Sequence, residues 1–143
     1  VDEHCRTEDA RVYAAGDCTN HPNGLLGRRV RLESVQNAVD QARAAAANIC
    51  GAAKVYRELP WFWSNQYDLR LQMAGLSQGH DRTVIRGDTA RPGFSVLYAR
   101  GDVVIAAGTL NAPPVHLALR KLIAQAAPPD LERLRDLANP LPA

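Results

Sequence analysis

Arg11-Val12-Tyr13-Ala14-Ala15-Gly16-Asp17-Cys18 is the stretch that decides how this chain is read. Val12 to Ala15 form a short apolar run with no helical period, and Gly16 with Asp17 stops it, which predicts a buried strand ending in a tight turn. Such a strand end faces a crevice. Gly16 has no Cβ, so a ligand can approach the backbone, and the Asp17 carboxylate can accept hydrogen bonds from ribose-like hydroxyls. Taken alone, Ala15-Gly16-Asp17 reads more readily as an ordinary exit turn. The residues around it decide between the two.

Downstream, Thr19 to Arg29 holds Asn20, Pro22, Asn23, Gly24 and Gly27, all turn formers, and predicts a loop. Ser34 then suits a helix N-cap, and Val35, Ala38, Val39, Ala42, Ala46 and Ile49 recur at three- and four-residue steps until Gly51, while Ala42 and Ala44 to Ala47 make this a thin helix that can pack closely against a sheet. The mixed stretch from Gly51 to Pro60 separates two domains, residues 1–53 and 54–143. In the second, Trp61–Tyr67, Leu69–Leu76, Arg82–Gly87, Phe94–Arg100 and Val103–Thr109 are five runs rich in aromatic and β-branched residues, with Gly101-Asp102 as a hairpin turn. They predict an antiparallel five-stranded meander. Pro113-Pro114 opens a helix with Val115, Leu119, Leu122, Ile123 and Ala126 on its apolar face, and Asp130 caps a shorter one through Leu137. Both are expected to cover one face of the sheet.

Composition removes several function classes. The 143 residues are 46% hydrophobic and 22% charged, normal for a globular chain, and 17 basic against 15 acidic residues leave no basic stripe for nucleic acid or a membrane surface. No apolar run approaches the ~18 residues of a membrane span, so a soluble, cytoplasmic protein is expected. Cys5, Cys18 and Cys50 have no paired spacing, and His4, His21, His80 and His116 have no ligand spacing, so neither a dithiol nor a metal site is expected.

The longer runs Thr7–Cys18, TEDARVYAAGDC, and Arg31–Ala42, RLESVQNAVDQA, resemble the second flavin-binding signature of FAD-dependent pyridine-nucleotide oxidoreductases, above all the ferredoxin and putidaredoxin reductase branch. Pro60–Gln72, PWFWSNQYDLRLQ, resembles the PWFWSDQ signature opening the carboxyl-terminal domain of those reductases; Asn65 stands where the family usually has aspartate, so no charge role is carried onto it. The resemblance implies an α/β remnant of an FAD-binding Rossmann-like domain followed by an α+β reductase domain, an antiparallel five-stranded sheet with helices on one face. It implies that Gly16 and Asp17 hold the ribityl chain. The helix end at Ser34, Val35 and Gln36 would point at the pyrimidine edge of the isoalloxazine, where a reduced ring carries negative charge. Trp63 would border the ring and, with Arg43, the surface where the electron acceptor docks.

The activity implied is electron transfer from NADH through FAD to a ferredoxin-type iron–sulfur protein that serves an oxygenase. Neither glycine fingerprint for a nucleotide pyrophosphate occurs here, so the chain reads as the carboxyl-terminal part of such an enzyme, inactive by itself and prone to self-associate at open sheet edges. The alternatives are a flavoprotein of the rubredoxin-reductase, nitrite-reductase or apoptosis-inducing-factor type, or a non-catalytic interaction or assembly module.

Overall fold

A computed structural model describes residues 1–126 and 128–141. The chain forms two compact units that divide between Pro60 and Trp61. The reason is hydrogen bonding: the Tyr56 amide donates to the Glu3 carbonyl at 2.8 Å, the Tyr56 hydroxyl to Asn37 Oδ1 at 3.0 Å, and Asn23 Nδ2 to the Glu58 carbonyl at 3.1 Å. Residues 54–60 therefore belong to the first unit.

In that unit, β1 (His21–Asn23) and β2 (Arg28–Val30) form a small antiparallel hairpin where the turn formers had predicted only loop. The turn signals are real, but three-residue strands are short enough to place Pro22 opposite Arg29 at little cost. Val12–Ala15 differs more from expectation. It is extended but carries a single bridge, Tyr13 to Arg6, with the Thr7 amide donating to the Val12 carbonyl and the Ala14 amide to the Cys5 carbonyl. Val12 is exposed, so among the described residues this is not a buried strand: its neighbour, Cys5 to Thr7, is too short to extend the ladder.

Helix α1 (Val35–Ile49) starts where predicted, Ser34 Oγ accepting from the Asn37 amide at 3.1 Å. Its close-packing alanines Ala44 and Ala45 are buried, but the apolar recurrence is not its buried face. Val35 and Ile49 are 62% and 66% exposed, while the buried face is Gln36, Asn37, Gln41, Ala44, Ala45 and Asn48. The amides turn inward because unpaired backbone groups await them: Asn37 Nδ2 donates to the Leu32 carbonyl at 3.1 Å, and Asn48 Nδ2 to the carbonyls of His4 and Lys54, both at 2.8 Å. The two small residues Ala44 and Ala45 meet Cys5 and Tyr56 in the core, with Tyr13 and Ala15 against them.

The second unit follows the predicted strands closely: β3 (Trp61–Gln66), β4 (Leu69–Gly75), β5 (Arg82–Arg86), β6 (Ser95–Arg100) and β7 (Val103–Leu110), all antiparallel. Their order is β3-β4-β7-β6-β5, so the sheet is not a simple meander. The eight-residue β7 is long enough to pair with both β6 and β4, which puts β5 at the far edge. Two cross-strand rows face the helices, Trp61-Ala74-Ala107-Leu97-Val84 and Trp63-Gln72-Thr109-Ser95-Arg86. Over them lie α2 (Pro113–Gln125), burying His116, Leu119, Leu122 and Ile123, and α3 (Leu131–Arg135), capped by Asp130 and burying Leu131 and Leu134. Arg86 is buried and donates to three carbonyls beyond and within α3: Leu134 at 2.9 Å, Asp136 at 2.7 Å and Asn139 at 2.8 Å.

Gly75 closes β4 with a left-handed φ of +71°, and a Cβ there would overlap the Ile105 carbonyl oxygen and the Ala106 Cα. Gly75→Ala should therefore cost about 3 kcal/mol through displaced β7 backbone. Gly24→Ala, whose Cβ meets nothing within 4 Å, should stay within about 0.5 kcal/mol of the parent in the same chemical unfolding experiment.

Candidate functional site

Gly16 adopts φ +85°, a conformation open to glycine at little cost, and its amide donates to Gln41 Oε1 on α1 at 2.7 Å. The Thr19 hydroxyl reaches the same oxygen at 2.8 Å, and the Thr19 amide closes the turn on the Gly16 carbonyl at 3.0 Å. A Cβ on Gly16 would lie 3.6 Å from Ala38 Cβ, so the turn rests on α1 one turn in from its start. Asp17 projects from the tip, exposed, with no hydrogen bond from its side chain among the described residues. The structure thus gathers Gly16, Asp17 and the amino end of α1 into one place.

At that end the capping Ser34 hydroxyl takes the Asn37 amide, and the first-turn amides of a helix point out along its axis towards any ligand there. The Val35 side chain points to solvent, so only its backbone N–H can act on a ligand. Gln36 is buried, and its side-chain amide donates to Asp40 Oδ2 at 3.0 Å. A carboxylate acceptor beside first-turn amides at the positive end of a helix dipole fits a polyol chain attached to a ring that becomes anionic on reduction. Arg43 lies on the exposed side of α1 and pairs with Asp40 at 3.2 Å, a surface contact that leaves the guanidinium accessible.

Sequence reasoning missed the buried residues beneath the turn. His21 is fully enclosed, its ring 5.2 Å from Tyr56, and burial, then the amino terminus and Arg29, lower its pKa. Nothing in a lone histidine beside a proline signals this. Gln41 lies off the apolar recurrence of α1 and was not singled out.

The second unit presents an aromatic edge. Alternation along β3 puts Trp61 and Trp63 on one face, as expected, and their rings stack at 5.5 Å with 30° between planes. The Arg120 guanidinium sits 4.4 Å over Trp61, and His116 lies 5.9 Å from the same ring. Trp61 is therefore the fixed backing for Trp63, which stays 38% exposed. His116 and Arg120 reach it together because residues four apart share a helix face, a spacing visible in the sequence but not used. Among the described residues no three His, Cys, Asp or Glu side chains are placed to hold a metal ion, and no helix is long and apolar enough to cross a membrane.

A family model described as reductase C-terminal matches residues 61–143. The chain belongs to this family. A second model, pyridine nucleotide-disulphide oxidoreductase, matches residues 1–42 and so contains both the Gly16 turn and the amino end of α1. Over 142 residues, 99% of the chain, it is 49% identical to the 5,5'-dehydrodivanillate O-demethylase ferredoxin reductase subunit of Sphingobium sp., of which it covers 34%. It is 43% identical to putidaredoxin reductase of Pseudomonas putida, covering 99% of the chain and 33% of that relative. Among solved structures, the covalent putidaredoxin reductase–putidaredoxin complex superposes with a TM-score of 0.93 at 42% identity, over 99% of this chain and 34% of that one. The chain spans about a third of the length of the relatives it matches.

His116 is 3% exposed, neither ring nitrogen has a hydrogen-bond partner among the described residues, and burial, then Arg120 and Arg70, lower its pKa from 6.5 to about 4. The fold holds it neutral, so its contribution is complete above pH 6.5 and is lost as pH falls towards 4. His116→Leu should flatten that part of the stability curve relative to the parent, measured by urea unfolding between the two pH values. An unchanged slope would mean that other groups carry it.

Proposed function

We propose that this chain is the carboxyl-terminal part of a cytoplasmic FAD-dependent reductase that passes electrons from NADH to a ferredoxin-type iron–sulfur protein serving an oxygenase. The observation that carries the proposal is the seating of the Gly16–Asp17 turn on the amino-terminal half of α1. The names of the relatives support the reaction, and the solved complex with putidaredoxin supports the class of acceptor.

Bound FAD would supply hydride acceptance from a nicotinamide and release of single electrons. The Asp17 carboxylate accepts hydrogen bonds from the ribityl hydroxyls. The amides of Val35 and Gln36, with the dipole of α1 behind them and Ser34 fixing the first turn, stabilise negative charge on the pyrimidine edge of the ring. Trp63 would offer its exposed ring to the cofactor and the acceptor, its plane held by Trp61 and Arg120. Arg43 adds positive charge that attracts an acidic partner. The phosphate-binding fingerprints lie in the rest of the longer enzyme, so the 143 residues by themselves should oxidise no NADH and retain little FAD. The rims of the sheet at β3 and β5, each paired on one side among the described residues, are where such an isolated chain would self-associate.

In the intact enzyme, Asp17→Ala should weaken FAD retention by roughly 1.5–3 kcal/mol, the range for a hydrogen bond to a charged group, and Asp17→Asn should cost less because it keeps an acceptor. Full flavin content in both purified variants would remove Asp17 from the ribityl site.

Trp63→Ala should separate the two half-reactions. Flavin reduction by NADH in stopped flow should remain within a few-fold of the parent, ferredoxin reduction should fall further, and Arg43→Glu should weaken that second step in a salt-dependent way. Equal losses in both steps with a large drop in melting temperature would reduce Trp63 to a packing residue.

A further inference from the structure

We infer that Gln41 is the positioning residue that sets the Gly16–Asp17 turn for the flavin, a role that rests on the flavin reading above. Gln41 is completely buried two turns into α1, and its single carboxamide oxygen receives both the Gly16 amide at 2.7 Å and the Thr19 hydroxyl at 2.8 Å. These residues bracket Asp17. One oxygen therefore ties down both ends of the turn, while the Thr19 hydroxyl also lies 2.9 Å from the Gly16 carbonyl. The donor at Gly16 is a backbone N–H, so the side chain must present its oxygen there and not its nitrogen.

Two further observations point the same way. The Asp17 carboxylate has no side-chain or backbone partner among the described residues, so only the turn's backbone aims it. Gln41 Nε2, in contrast, is buried without an acceptor among the described residues. A buried carboxamide with half its hydrogen-bonding capacity unmet is a costly way to fill space that an apolar side chain would fill better. What it supplies is the oxygen. With that oxygen withdrawn, the Gly16 amide is left buried and unpaired, the left-handed φ of +85° loses its restraint, and Asp17 swings with it.

The test uses the intact enzyme containing this chain, prepared as apoprotein, with FAD itself as the probe. Gln41→Leu should raise the FAD dissociation constant about ten-fold or more and speed hydrogen exchange at the Gly16 amide to a similar degree, the scale set by one unpaired buried donor. Gln41→Glu, which keeps an oxygen in place, should bring both within about three-fold of the parent at pH 6, where a buried carboxyl stays protonated. Asn48→Ala, which cuts hydrogen bonds of α1 to His4 and Lys54 but not to the turn, should lower the melting temperature and leave FAD affinity and Gly16 exchange unchanged. If Gln41→Leu does not fold, Gln41→Asn, with its oxygen one methylene shorter, should show the same paired losses.

FAD affinity or Gly16 exchange that is indifferent to these substitutions, or an equal FAD loss in Asn48→Ala, overturns the inference. A parent apoprotein that takes up no FAD overturns the flavin reading instead, and exchange at Gly16 then still decides whether Gln41 holds the turn.

Discussion

A chain segment with little regular sheet leaves its backbone donors and acceptors without partners, and in the first unit those partners are side-chain amides on one face of α1. Asn37 joins the Leu32 carbonyl to the Tyr56 hydroxyl, Gln41 joins Gly16 to Thr19, and Asn48 joins His4 to Lys54. Each bond spans segments that make no ladder with one another. The helix acts as a polar spine: its alanines allow close approach to Cys5 and Tyr56, and its amides satisfy what that approach desolvates. The Gly16–Asp17 turn owes its shape to this arrangement rather than to a strand behind it.

This constraint also explains which face of the helix is buried. Hydrophobic spacing alone would turn Val35, Val39 and Ile49 inward, because burial of apolar surface is the usual driving force. Here the need to pair buried backbone groups prevailed, and those three side chains face outward. The boundaries of α1 were legible, since Ser34 and Gly51 act locally; its rotation was not, since that depends on what surrounds it. Val12–Ala15 failed for a related reason. Apolar β-forming residues announce a strand, but a strand exists only with a neighbour, and the neighbour is invisible in the run itself.

In the second unit the strands and both helices were readable from turn signals, alternation and capping residues such as Asp130. The order of the sheet was not, because the β4–β7 pairing joins residues distant in sequence and no local signal encodes it. For the site, Gly16, Asp17 and Ser34 were legible as residue types whose chemistry follows from their backbone position. Gln41, His116 and Arg120 were not singled out, since each acts through a neighbour: Gln41 through the turn, His116 and Arg120 through the Trp61 ring.

Arg86 has a consequence for how the molecule assembles. Its guanidinium is 48 to 53 residues away from the carbonyls it binds, and it sits inside β5 with both terminal nitrogens bonded to residues 134–139. Closing so long a loop is entropically expensive, and the contact rewards it only once β5 is held in the sheet. Residues 134–139 therefore gain these three bonds only once β5 is in place. A segment with three carbonyls bound to one buried guanidinium becomes a lock on the sheet.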